Sequence, residues 1–172
     1  MPTIYTHAIV GAGLGNLCVP QRRRWLFWAL VILLPVTPDL DVFSKSAYGS
    51  ITGHRGFTHS LVFAALVGIM ASFLVHRALR VKIWTLSVLF FAVTASHSIL
   101  DMFTDGGFGI PLLWPVTDQR FGPYGPIHVA DGDLTRSLTT EFWYVWLPTA
   151  GLAAMTIIFR RIKRQKRKQR DH

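Results

Sequence analysis

The sequence predicts an all-α, polytopic membrane helical bundle with about five hydrophobic segments. Three observations carry that prediction. The 172 residues are 51% hydrophobic and only 16% charged, with a mean hydropathy of +0.35, whereas a soluble domain carries about 25% charged residues. Five stretches lack Lys, Arg, Asp and Glu altogether: 1–21, 25–38, 56–76, 83–100 and 142–159. Fourteen of the eighteen basic residues fall in three clusters between or after them: Arg22–Arg24, then Arg77, Arg80 and Lys82, then a tail from Arg160 to Arg170. Such a composition excludes a disordered chain. The single cysteine, Cys18, excludes an intrachain disulfide framework and a Cys-rich zinc site. The net charge of +9, placed beside apolar segments, points to an anionic membrane surface before nucleic acid.

A helix that crosses about 30 Å of hydrocarbon needs roughly 20 residues. Segment one, Met1–Gln21, is long enough but rich in glycine (Gly11, Gly13, Gly15). Segment two, Trp25–Pro38, is short, and Pro35 and Pro38 predict its end. These two read either as two crossings or as a re-entrant hairpin. Segments three (Gly56–His76), four (Ile83–Leu100) and five (Phe142–Phe159) have spanning length. Trp143, Tyr144 and Trp146 read as an aromatic belt at one interface, and Trp25, Trp28 and Trp84 as its counterpart at the other. No basic region precedes Ala8–Leu14, so no cleavable signal peptide is expected. Residues 1–159 form one embedded domain, and 160–172 a basic cytoplasmic tail.

Placing all three basic clusters in the cytoplasm gives one consistent threading, with the N-terminus outside and the C-terminus inside. Eight of the nine acidic residues then lie on the outer face, with Asp171 alone inside. His7, His54, His59, His97 and His128 join them, while His76 stays with the inner basic cluster.

Four pieces of that outer face can carry chemistry: His7; Asp39 and Asp41 in Pro38-Asp39-Leu40-Asp41; His54 and His59 in His54-Arg55-Gly56-Phe57-Thr58-His59-Ser60; and His97 with Asp101. His97 and Asp101 stand at i and i+4, on one helix face. Asp39 and Asp41 point the same way from an extended segment or enter a site from a turn. His54 is expected from a loop and His59 from the first turn of segment three. Each piece has a plain reading: an interfacial histidine, a buried His–Asp pair, a helix stop, a glycine-containing loop. Their gathering on one face favours a metal site. Imidazole and carboxylate without thiolate suit zinc, manganese or iron. Seven donors suffice for two ions of the kind that clamp a phosphoester, and Arg55 is placed to bind a phosphate oxygen. Asp105 reads as a turn former, and His128, Asp131 and Asp133 as an outer turn.

These motifs, with Ser96-His97 and Pro111-Leu112-Leu113-Trp114-Pro115, resemble the YdjM-like family of bacterial inner-membrane proteins, described as metal-dependent hydrolases. The resemblance covers roughly residues 1–116. The family is distantly similar to zinc-dependent phospholipase C and the P1-type nucleases. The resemblance implies that His7, Asp39, His54, His59, His97 and Asp101 ligate metal, and that Asp41 is a ligand or a general base. Arg55 and Ser60 match the motif as well.

The expectation is therefore an inner-membrane enzyme with its metal site on the periplasmic face. It would hold divalent metal, zinc or manganese, as two ions, with Asp41 and Arg55 as catalytic groups. It would hydrolyse a phosphoester, of a phospholipid or lipid-linked phosphate, with metal-activated water. The rivals are a non-enzymatic membrane metal-binding or transport protein, and a stress-regulated membrane scaffold that works through the basic tail. Membrane lipid is the expected partner, and nucleic acid is not.

Overall fold

The computed structural model describes residues 2–170 apart from Lys45, Ala47, Gly49, Ala130 and Asp131, and the side chains of residues 163, 164 and 166–170 are outside the described set. Asp131, Asp171 and most side chains of the basic tail, all singled out above, therefore lie outside the described residues. Six α-helices run in chain order: α1 (Ile4–Gly15), α2 (Arg24–Leu33), α3 (Leu61–Leu79), α4 (Ile83–Met102), α5 (Leu134–Glu141) and α6 (Leu147–Arg170). Among the described residues, four stretches are long and apolar enough to cross a membrane: Arg24–Phe43, Leu61–Leu79, Ile83–Met102 and Leu134–Ile162.

Three of the expected segments differ from the structure. Segment one supplies the 12-residue α1, about 18 Å long, and a 3-10 turn over Asn16–Cys18, which together fall short of the roughly 20 residues of a full crossing. Segment two does not stop at its prolines. The α-helix ends at Leu33, but the chain continues as a 3-10 helix over Leu34–Phe43, with Pro35 at its start and Pro38 inside. Proline removes a donor that the α-helix needs. Winding on as a 3-10 helix keeps the segment rod-like and brings it to 20 residues. The last span also starts earlier than expected, because α5, a π-turn at Phe142–Trp146 and α6 follow one another without a break.

Glycines explain how α1 fits. Gly11 and Gly15 both face Val31 of α2, and a Cβ on Gly11 would stand 2.1 Å from the Val31 carbonyl oxygen. On the other side, a Cβ on Gly13 would stand 2.4 Å from Cγ2 of Thr149 in α6. Small residues permit this approach, which substitutes for a hydrophobic drive inside lipid. Ala64, Gly68 and Ser72 are likewise buried on one stripe of α3, and Gly68 lies against the α4 backbone at Phe90 and Phe91. Phe27, Val31, Leu34, Leu79, Leu86, Leu89, Phe90 and Val93 fill the centre between α2, α3 and α4. Trp28 packs edge-on against Phe27 beside this core, so it is not purely an interfacial belt residue. Trp25, Trp84, Trp143 and Tyr144 are exposed as a belt requires.

The up-and-down path brings four element ends together: the start of α1, the end of the Leu34–Phe43 helix, the turn before α3 and the end of α4. Residues 103–129 close over this end. Their backbone pairs at Thr104 with Ile127 and at Ile110 with Phe121, and the Leu61 N–H donates to the Leu112 carbonyl at 2.9 Å. Ile110 and Ile127 are buried beneath this cap.

Candidate metal centre

His59 stands at the centre. It ends a 3-10 turn, Phe57–His59, and Ser60 caps α3 by accepting from the Phe63 N–H. The capping role accounts for Ser60 without a part in chemistry. Asp39 and Asp41 lie in the 3-10 helix, not in an extended segment, and both enter the site from its turns. They bracket the His59 ring. Oδ1 of Asp39 is 3.6 Å from Nε2, and Oδ2 of Asp41 is 3.2 Å from Nδ1. The Asp41 contact assigns the Nδ1 proton and leaves Nε2 facing inward, the arrangement by which carboxylates orient metal-ligating histidines.

His97 and Asp101 come from successive turns of α4, as the i, i+4 spacing predicts. Nε2 of His97 lies 3.1 Å from Nε2 of His59, 3.3 Å from Oδ1 of Asp39 and 3.8 Å from Oδ2 of Asp101. His7 stacks on His97 with ring centroids 4.0 Å apart, and its Nε2 is 3.6 Å from Oδ1 of Asp101. Three overlapping triads could each hold a metal ion: His7, Asp39 and His97; Asp39, His54 and His59; His59, His97 and Asp101.

These donors fit a cation. His7 Nε2, Asp39 Oδ1 and both oxygens of Asp101 are buried without a hydrogen-bond partner. Buried polar atoms are rarely left so, since each costs about 1–3 kcal/mol. Ligands of a tetrahedral zinc, at about 2.0–2.1 Å from the ion, lie roughly 3.3 Å apart. The separations around His59 and His97 scatter about that value. Protons are drawn to the same place. Burial opposes charge on His59, but the carboxylates of Asp39 and Asp41 beside its ring outweigh it and push its pKa up to about 9.

Asp41 belongs to none of the triads. Its Oδ1 pairs with His54 Nδ1 at 2.6 Å, and its Oδ2 also accepts from the Thr58 hydroxyl at 2.5 Å. This geometry makes it an orienting carboxylate for two imidazoles. Arg55 is buried with a left-handed backbone, φ 62°. Its Nε lies 3.7 Å from Oδ2 of Asp101, and its Nη1 donates to the Gly106 carbonyl at 3.1 Å. Asp105 and His128 pair with each other away from the triads, Nδ1 to Oδ2 at 2.5 Å. Asp133 caps α5 through the N–H groups of Thr135 and Arg136.

Several contributors escaped the sequence reading. A Cβ on Gly107 (φ +101°) would meet Nη1 of Arg55 at 1.9 Å, so only glycine lets the cap close on that guanidinium. Arg120 donates to the carbonyls of Arg55 and Gly109. Glu141, the one glutamate of the chain, is fully buried and accepts from Thr3 N–H at 2.7 Å, from the Thr3 and Thr6 hydroxyls, and from Ser137. The Trp146 indole donates to Thr6, which gives this tryptophan a structural partner as well as a belt position. This network ties the start of α1, and with it His7, to the last span. An ionisable group at the edge of an apolar helix was the available signal.

Fold and site together define a class: a multi-spanning, all-α membrane protein with overlapping His/Asp clusters, able to bind metal, at one end of its bundle. The chain belongs to the YdjM inner membrane protein family, whose profile matches residues 1–166. It is similar to the "Inner membrane protein YbcI" of Escherichia coli (strain K12), with 42% identity over 175 positions that cover 90% of this chain and 96% of that protein. No solved structure matches it. The family match runs past residue 116, where the motif resemblance ended, and so takes in the cap and much of the last span.

Proposed function

We propose that the protein is a metal-dependent hydrolase of the inner membrane that cleaves a phosphoester in a lipid or lipid-linked substrate. The observation that carries this reading is the convergence of His59, His97, Asp39 and Asp101 with their donor atoms buried and unpaired. His7 and His54 extend the donor set toward two ions, and zinc suits it best, with manganese second. A bound divalent ion supplies Lewis acidity and a nucleophile at neutral pH.

The chain's own groups do the rest. Asp41 fixes the ring orientation and tautomer of His59 and His54, so its part is positioning instead of ligation or proton abstraction. Arg55 balances the Asp101 charge and offers a guanidinium to phosphoryl oxygens. The cap of residues 103–129 limits water around both. Lipid as the substrate class is supported by a groove of about 690 Å³ between α2 and α3, within the usual range for ligand sites. Asp41 and Thr58 line its polar end, and Leu74 and Val75 its apolar end along the span. The site is assigned to the periplasmic face by the positive-inside rule, since the basic clusters lie at the other end.

The test is turnover of bis(p-nitrophenyl) phosphate and of a phospholipid by the purified, zinc-loaded protein. Activity that a chelator abolishes, and that His97→Ala/Asp101→Ala lacks, is expected. Metal bound at these residues with no turnover of either substrate would favour the non-enzymatic metal-binding reading.

A further inference from the structure

A second cavity, of about 540 Å³, opens at the end of the bundle away from the His/Asp cluster. Arg24, Arg160 and Arg161 line it together with Leu17, Val81 and Ile157. Two of the three basic clusters reach it: Arg24 from the first, and Arg160 with Arg161 from the third. Among the described residues, no acidic side chain lines it. Among the described residues, none of the three arginines has a carboxylate partner. Arg24 also opens α2, whose first turn holds no acid and whose N-cap makes no side-chain hydrogen bond. The start of this ten-residue helix adds its partial positive charge to the arginines.

Convergent guanidiniums beside a helix N-terminus recognise a phosphate, since the planar fork matches its oxygens. Scattered basic residues at a membrane surface would satisfy the positive-inside rule without forming a cavity. Here they share one with an apolar wall, which suits the first carbons of an acyl chain. We propose that this cavity binds the phosphodiester headgroup of an anionic phospholipid such as phosphatidylglycerol. The site is independent of the hydrolase reading. It sits at the opposite end of the bundle and would hold a lipid without reacting with it.

Native mass spectrometry of the full chain, released from nanodiscs that contain phosphatidylglycerol and phosphatidylcholine, tests the proposal. The protein should retain about one phosphatidylglycerol and exclude phosphatidylcholine. Arg24→Gln/Arg160→Gln/Arg161→Gln should lower retention about tenfold or more. Arg22→Gln/Arg77→Gln/Arg80→Gln removes the same charge outside the cavity and should leave retention nearly unchanged. Ile157→Trp fills the cavity from the exposed face of α6 and keeps every charge; it too should lower retention, which covers the case in which the triple variant folds poorly. Equal losses in the two triple variants, or full retention in Ile157→Trp, would overturn the proposal. Displacement of the lipid by inorganic phosphate at matched concentration would overturn the lipid assignment in favour of free phosphate.

Discussion

The two ends of the bundle solve opposite electrostatic problems. At one end, three carboxylates (Asp39, Asp41, Asp101) and four imidazoles (His7, His54, His59, His97) are packed under a cap, and several donor atoms lack hydrogen bonds. At the other, the arginines of the connections and of α6 face outward around an open cavity. The first end is pre-organised: the protein has lost the solvation of these groups and holds them in place for a cation. The second keeps its charges solvated and offers them to anions at little structural cost. Buried unpaired polar groups carry the larger energies, so perturbations should act strongly at the His/Asp end and weakly at the basic end.

The largest effect is expected at Arg55. Removing this buried guanidinium strands the Asp101 carboxylate, and breaking a buried pair costs about 3–5 kcal/mol. Arg55→Ala should therefore lower the melting temperature of chelator-treated protein sharply, and added zinc should restore part of the loss because the ion supplies the missing charge. A melting temperature unaffected by the substitution would mean that the Asp101 charge is balanced elsewhere.

Next comes pH. His59 lies just outside the Leu61–Leu79 span, and folding raises its pKa from 6.5 to about 9. The folded chain thus binds this proton more tightly than the unfolded chain. The resulting stability is complete below pH 6.5 and disappears as pH rises through about 9. Chelator-treated protein should lose on the order of 3 kcal/mol across that window. Zinc-loaded protein should show no such decline, because metal and proton compete for the same atoms. Parallel melting curves for the two forms would contradict shared occupancy.

Asp41 should matter less. It orients His59 and His54 without joining a triad, and loss of such a partner typically costs about 10–100-fold in metal affinity. Asp41→Asn should weaken zinc binding by about that factor in a competition titration and leave the stoichiometry unchanged. A loss of one whole ion would make Asp41 a ligand.

Much of this was legible in the sequence because it rests on local rules. The i, i+4 pair on α4 and the separation of acids from basic clusters follow from helix periodicity and the charge pattern. The 3-10 continuation through Pro35 and Pro38 was not legible, because an α-helix rule predicts only a stop there. Nor was the short α1. Its glycines read as weak hydrophobicity, whereas their use is contact with Val31 on one side and Thr149 on the other. Glu141 and Gly107 were missed for a related reason. Each acts on a residue distant in sequence, Thr6 and Arg55, and no local pattern connects them.

The most direct test of the central claim, that the His/Asp end is built for a metal ion, is metal content by elemental mass spectrometry on the detergent-purified protein. His97→Ala/Asp101→Ala is measured beside it, with Arg22→Gln/Arg23→Gln as the basic-end control. About two zinc or manganese ions per chain, lost in the first variant and kept in the second, is the predicted result. No metal above background in the parent protein, even after metal is added back, would contradict it.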